Sequence, residues 1–180
     1  MGNIIMALNK ALFSSKNDNW RTPKDLFNIL NKEFKFVLDA AADQNNALCE
    51  NYYTEKNSGL INPWFGNVWC NPPYSKGLAK EFVLKAVKEM KITELIGDTL
   101  YRAVFLLPAR TDTLMWQSLI FPFASEIRFL QGRLKFLDEN NEELGTAPFP
   151  SAIVVFSQDE FKSPQGQRIS GWDWKTNPIF

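Results

Sequence analysis

Histidine is absent from all 180 residues. That removes histidine general acid–base chemistry, Ser–His nucleophile pairs and most zinc sites at once. Cysteine is scarce: Cys49 and Cys70 alone make neither a metal cluster nor a disulfide framework, so the chain reads as intracellular and reduced, with no metal expected. Net charge is missing too, with 20 Lys plus Arg against 20 Asp plus Glu. A protein that grips nucleic acid chiefly through phosphates carries a broad positive field, so any such contact here has to be local. No run approaches the roughly 20 apolar residues that span a bilayer. Met1 to Phe13 also lacks the basic start, long apolar stretch and small-residue cleavage site of a secretion signal. A soluble chain without a membrane partner is expected.

What is present suits one globular domain of an ordinary kind, with 45% hydrophobic and 22% charged residues and a high aromatic share of 14%. Residues 1–19 end in a polar stretch and read as a loose arm, leaving 20–180 as a single domain. Thr22 is placed to cap a helix with Pro23 in its first turn, and Leu26, Phe27, Ile29, Leu30 and Phe34 make its apolar face. Phe36-Val37-Leu38 reads as a buried strand ending at Asp39. Residues 40–67 read as a short helix and irregular chain, punctuated by Gly59, Pro63 and Gly66. Val68-Trp69-Cys70 is the next strand, and a helix capped by Ser75 runs to about Lys91. Strands follow at Ala103 to Leu107, Glu126 to Leu130, Leu134 to Leu137 and Ala152 to Phe156, with a helix over Asp112 to Ile120 and a polar loop over 138–150. Strands alternating with helices predict an α/β fold with a mainly parallel sheet and an antiparallel hairpin at its edge.

In open α/β sheets ligands sit beyond the carboxyl ends of the strands, which directs attention to Asp39, to Asn71-Pro72-Pro73-Tyr74 and to Pro108-Ala109-Arg110. In the tetrapeptide, two prolines stiffen the backbone and remove two N–H donors, leaving carbonyls beside an amide side chain and an aromatic ring. The same residues would also serve a rigid turn with Asn71 capping the next helix. Asn-Pro-Pro-Tyr nevertheless resembles the catalytic motif of amino-methyltransferases that act on adenine, cytosine N4 or glutamine amides. An adenine amine has its lone pair drawn into the ring. Acceptors such as the Asn71 side-chain oxygen and the Pro72 carbonyl would pull its two N–H bonds aside and turn the lone pair toward an electrophilic methyl. Tyr74 offers a face on which an extruded base can stack.

A wider set of segments resembles the phage-encoded Dam family of DNA N6-adenine methyltransferases. They are Trp20-x-Thr22-Pro23-x-x-Leu26-Phe27, Leu38-Asp39-Ala40-Ala41-Ala42, Asn46-Ala47-x-Cys49, the tetrapeptide with Trp69 and Ser75, Pro108 to Thr113, Gly132-Arg133-Leu134-x-Phe136 and Ala147 to Ser151. The resemblance implies a Rossmann-like domain binding S-adenosylmethionine, double-stranded DNA as substrate, and a phage or prophage protein at work in a bacterial cytoplasm as a monomer or weak dimer. It further implies that Asp39, with the small Ala40 and Ala41, receives the methionine part of the cofactor, although the usual Gly-rich loop is missing. Trp20, Thr22 and Pro23 would lie beside that end, and Glu55 would meet the ribose hydroxyls. Arg110, Arg133 and Lys135, then Arg128 and Arg168, are the candidate phosphate contacts. Loop 138–150 and the tail Trp172-Asp173-Trp174 are candidate base readers. RNA, cytosine N4 or a protein glutamine as substrate, and a non-catalytic DNA-binding or anti-restriction role, remain alternatives.

Overall fold

Seven strands form one sheet, and their order sets the position of everything else. The computed structural model describes residues 20–75, 77–96, 100–158 and 166–176; the expected arm, residues 1–19, lies outside the described residues. Helix α1 (Lys24–Phe34) precedes β1 (Leu38–Asp39) and β2 (Asn51–Tyr52). Then come β3 (Gly66–Cys70), helix α2 (Leu78–Ile96), β4 (Leu100–Pro108), and α3, a π-type stretch Trp116–Ile120 running into Phe121–Phe123. The chain ends with β5 (Glu126–Leu130), β6 (Lys135–Leu137), β7 (Glu143–Thr146), β8 (Ser151–Ser157) and β9 (Arg168–Trp172). The main sheet runs β2-β1-β3-β4-β8-β5-β9, and β6 and β7 pair separately.

The predicted α/β sheet with parallel and antiparallel parts is present, but the antiparallel strand is not at its edge. Strand β8 lies between β4 and β5 and is antiparallel to both. All of its residues are buried, so burial on both faces holds it inside the sheet. The hairpin is β6 with β7, outside the main sheet. Alternate residues of β4 feed two cores, as a period of two requires. Ala103, Phe105 and Leu107 face α2 and α3 with Phe82, Val83 and Trp116. Val104 and Leu106 face α1 with Leu26, Phe27, Leu30 and Phe34. Each of those helix side chains, buried to 6% exposure or less, contributes about 1.5–3 kcal/mol.

Two local expectations are corrected and a third, the helix over Asp112 to Ile120, is present with altered geometry. The cap position of α1 is Pro23, and no side chain caps the helix; the Thr22 hydroxyl is taken by Asn71 instead. No helix forms in residues 40–67. That segment contains β2 and is pinned by the Trp64 indole, which donates to the Gly59 carbonyl at 2.8 Å. The helix expected from Asp112 begins as a turn and widens to an i→i+5 bond from the Phe121 N–H to the Trp116 carbonyl. Pro122, the next residue, has no N–H to donate, and the Trp116 indole anchors the element on the Pro108 carbonyl at 3.0 Å.

Candidate active site

Strand β1 has β2 on one side and β3 on the other, both parallel to it. The chain thus leaves β1 in one direction and returns on the opposite flank. A crevice opens at such a reversal, beyond the carboxyl ends. Asp39 closes β1 and Asn71 follows β3, and both line a cavity of about 630 Å³, within the range of small-molecule sites. Trp20, Thr22, Ala40, Ala41, Glu55 and Pro73 line it too.

Asn71 is held from three sides. Its Nδ2 donates to the Trp20 carbonyl at 2.6 Å and to Thr22 Oγ1 at 3.1 Å, and its Oδ1 accepts from the Tyr74 hydroxyl at 2.7 Å. A backbone carbonyl only accepts, so Trp20 selects the nitrogen side of the amide and turns Oδ1 toward Tyr74. Both N–H bonds are used, while Oδ1 keeps one lone pair.

Tyr74 is half-buried, and burial, then Cys70, pushes its hydroxyl well above the ordinary tyrosine range. It stays a neutral donor. Its ring meets Phe149 edge-on at 5.7 Å and Phe136 at 6.3 Å, and Trp20 meets the same two rings at 5.5 and 5.4 Å. These four aromatics form the wall behind Asn71. Pro72 is buried, and neither it nor Tyr74 is among the residues that line the cavity. Pro23 starts α1 beside Thr22 rather than on the wall.

Asp39 is buried at 3% exposure. Its Oδ1 accepts from the Ala41 N–H at 3.3 Å and its Oδ2 from the Leu48 N–H at 3.2 Å, which shapes the Ala40 to Leu48 loop in place of a Gly-rich one. A glycine is required one segment further on: a Cβ on Gly59 would stand 2.3 Å from the Ala40 carbonyl oxygen. Chain 58–60 lies directly against the end of β1 for that reason. Burial raises the Asp39 pKa from 3.8 to about 6, with two backbone hydrogen bonds opposing and Asp43 assisting. The folded protein therefore holds a proton that the unfolded chain releases. The corresponding stability, about 3 kcal/mol at 1.36 kcal/mol per pKa unit, is complete below pH 3.8 and lost as pH rises to about 6. Denaturant unfolding of the ligand-free protein at pH 4, 5, 6 and 7 should show this decline, and Asp39→Asn should flatten it.

Glu55 is exposed, three residues beyond β2, on the cavity lip. Arg110 lies outside the cavity, stacked over Phe149 at 5.6 Å, and Arg133 is exposed before β6. Lys135 is exposed but paired with Glu143 at 2.8 Å. One of the proposed phosphate contacts, Arg128, is corrected. Arg128 is 2% exposed and donates to both Glu33 oxygens at 2.7 and 2.6 Å. Burial lowers its pKa, but hydrogen bonds to Glu33 and Glu126 more than reverse that. Arg168 is exposed, yet it too donates to Glu126, at 3.0 Å. Trp172 and Trp174 are buried in the α1-side core, so the tail's two indoles are packing residues. Loop 138–150 includes β7, and its Asn141 reaches the cavity lip.

Sequence reasoning passed over several wall residues, among them Arg21, Asp43, Leu60 and Phe82. Arg21 stood inside the Trp20–Pro23 segment, a signal that could have been followed. Leu60 and Phe82 arrive from distant chain and left none.

The structure matches a protein of Listeria monocytogenes named as a candidate class I S-adenosylmethionine-dependent methyltransferase, at TM-score 0.53 and 13% identity, covering 99% of this chain and 74% of that one. The fold is thus that of an S-adenosylmethionine-dependent methyltransferase. Residues 10–172 match the family model of the DNA N-6-adenine-methyltransferases, Dam, and the chain belongs to that family. It is 34% identical over 128 residues to the DNA N-6-adenine-methyltransferase of Escherichia phage T1, covering 69% of this chain and 50% of the relative. It is also 40% identical over 65 residues to YfdM of Escherichia coli K12, named as a candidate methyltransferase, covering 32% of this chain and 71% of the relative. The chain therefore spans half the length of its phage T1 relative. The methyl donor that goes with this family and fold is S-adenosylmethionine. The cavity suits it chemically, offering the carboxylates of Asp39 and Glu55 and the apolar side chains of Leu60, Leu78 and Phe82. Among the described residues no cluster of His, Cys, Asp or Glu is arranged to hold a metal ion, and no helix is long and apolar enough to cross a membrane.

Proposed function

We propose that this protein transfers a methyl group from S-adenosylmethionine to N6 of adenine in double-stranded DNA. The observation that carries the reading is Asn71: its amide is locked by Trp20, Thr22 and Tyr74 at the rim of the cavity that Asp39 also lines. Bound S-adenosylmethionine supplies a methyl on a positively charged sulfur. Asp39 and the adjoining Ala40 and Ala41 bind its methionine end, with Trp20, Thr22 and Pro23 beside it, and Glu55 accepts from the ribose hydroxyls. The remaining Oδ1 lone pair of Asn71 and the Pro72 carbonyl draw the two N–H bonds of the adenine amine aside, which aims its lone pair into the cavity. Pro73 keeps that turn rigid, so little reorganisation is needed at the moment of transfer. Tyr74 orients the Asn71 amide and lends its ring to the extruded base.

Arg110 and Arg133 are the phosphate contacts this reading favours, and Lys135 joins them once released from Glu143. A neutral chain with few such contacts binds DNA by a small, salt-sensitive patch. Strand β7 and residues 139–142 before it are exposed and are the elements this reading favours for reading bases. The setting is the bacterial cytoplasm, with the protein as a monomer or weak dimer.

Incubating duplex DNA with the protein and methyl-labelled S-adenosylmethionine, then digesting to nucleosides, tests the proposal. Label is expected in N6-methyladenine. Label confined to N4-methylcytosine, or to RNA or protein offered in the same reaction, would overturn it.

A further inference from the structure

Strand β6 braces each group that holds Asn71, although none of the amide's hydrogen bonds runs to it. Phe136 is 0% exposed and is not among the residues that line the cavity. Its ring meets the Trp20 ring at 5.4 Å and the Tyr74 ring at 6.3 Å, both edge-on, within the range at which aromatic rings attract. The next residue, Leu137, exchanges two backbone hydrogen bonds with Arg21, at 3.0 and 2.9 Å. Arg21 stands between Trp20 and Thr22, whose carbonyl and hydroxyl take both N–H bonds of the amide. Three partners fix the amide, and residues 136 and 137 brace all three.

Alternation along β6 makes this possible, with Lys135 exposed and Phe136 buried. The turn that follows is itself fixed. The Asp138 carboxylate accepts from the Asn140 and Glu142 N–H groups at 2.8 and 2.9 Å, and Lys135 pairs with Glu143 across the hairpin at 2.8 Å. Among the described residues the hairpin pairs with no strand of the main sheet. It is tied to the Asn71 partners through the Phe136 ring and the Leu137 bridge instead.

We infer that Phe136 is a positioning residue for methyl transfer: it holds the Trp20 segment and the Tyr74 ring in the arrangement that aims the Asn71 amide. The inference rests on the methyltransferase reading and deepens it. Trp20 and Tyr74 grip the amide by opposite atoms, its nitrogen and its oxygen, so a shift of either one rotates the amide and turns its acceptor away from the amine. The hairpin and the amide therefore move as one unit. A duplex that seats poorly on exposed β7 is then methylated slowly rather than bound weakly.

Phe136→Leu removes the ring and keeps an apolar side chain. Single-turnover transfer from methyl-labelled S-adenosylmethionine to unmethylated plasmid DNA, with both saturating and at a temperature where the variant is folded, should slow about 10- to 100-fold, the scale of a small misplacement at a reacting centre. Dissociation constants for S-adenosylmethionine and for the plasmid, measured separately, should stay close to those of the unaltered protein. Phe136→Met, whose thioether still favours aromatic neighbours, should fall between and serves if the Leu variant does not fold. An unchanged rate beside a lowered unfolding midpoint would make Phe136 a packing residue only and overturn the inference. A loss confined to DNA affinity would assign it to the duplex, and an equal loss of cofactor affinity would mean that the cavity itself had collapsed; either overturns it. If the unaltered protein transferred no methyl to DNA, the methyltransferase reading would fail and this inference with it, an outcome that no variant's loss of rate can mimic.

Discussion

Asn71→Ala is expected to reduce methyl transfer by a factor of about 10² to 10³ or more, the scale seen when a single preorganised polar group is removed from a reacting centre. Single-turnover transfer from labelled S-adenosylmethionine to duplex DNA measures this. Affinity for the cofactor should fall far less than transfer, because none of the Asn71 side-chain hydrogen bonds runs to Asp39 or its loop. Stability should also fall, by about 1–3 kcal/mol, since Trp20 and Thr22 lose the donor that ties their segment to the end of β3. Asn71→Asp separates the two effects. It keeps an acceptor for the substrate but sets a carboxylate oxygen against the Trp20 carbonyl, now 2.6 Å from Nδ2. Stability should suffer at least as much as in the alanine variant. Full activity in Asn71→Ala would remove the central support of the proposed function.

The second large effect concerns folding. Arg128→Leu should destabilise the protein by about 3–5 kcal/mol, because breaking a buried ion pair leaves its partner charged and undercompensated. Glu126, whose side chain is 5% exposed, would keep Arg168 at 3.0 Å but lose the guanidinium that meets it inside the fold. Arg128 is also sandwiched between the Phe34 ring at 5.4 Å and the Trp172 ring at 5.3 Å, so its removal loosens the contact of α1 with β9 as well. Guanidinium unfolding midpoints measure the loss. Glu33 lies in the last turn of α1 and Thr22 just before its first, about 16 Å apart at 1.5 Å per residue. The dissociation constant for S-adenosylmethionine at a temperature where the variant is folded should therefore be unaltered. A drop in DNA affinity without a drop in stability would instead return Arg128 to the role of phosphate contact.

Arg128 marks a limit of reading charge from sequence. An arginine in a predicted strand looks like a surface cation until the chain is folded, and its partner Glu33 is 95 positions away. Strand β8 marks another. Seven apolar or small residues in a row announce burial on both faces, yet not which neighbours the strand will have or which way it will run. The missing helix in 40–67 has the same origin: three alanines favour a helix locally, while Asp39, by accepting from the Ala41 and Leu48 amides, holds them in a loop.

Several residues that line the cavity could be named from the sequence alone. Asn71-Pro72-Pro73-Tyr74 and Asp39-Ala40-Ala41 are contiguous, and contiguous residues at strand ends carry their geometry with them. The absence of histidine likewise dictates that acceptors and stacking, rather than an imidazole base, carry any amine chemistry. Sequence by itself determined the residue types at the strand ends, the α/β class and the family. Tertiary structure alone decided that Trp20 and Thr22 grip Asn71 across about 50 residues of chain, that Gly59 lies against Ala40, and that Arg21 is buried beside the cavity. Those facts depend on long-range contacts and on burial, and both are properties of the packed chain rather than of any segment of it.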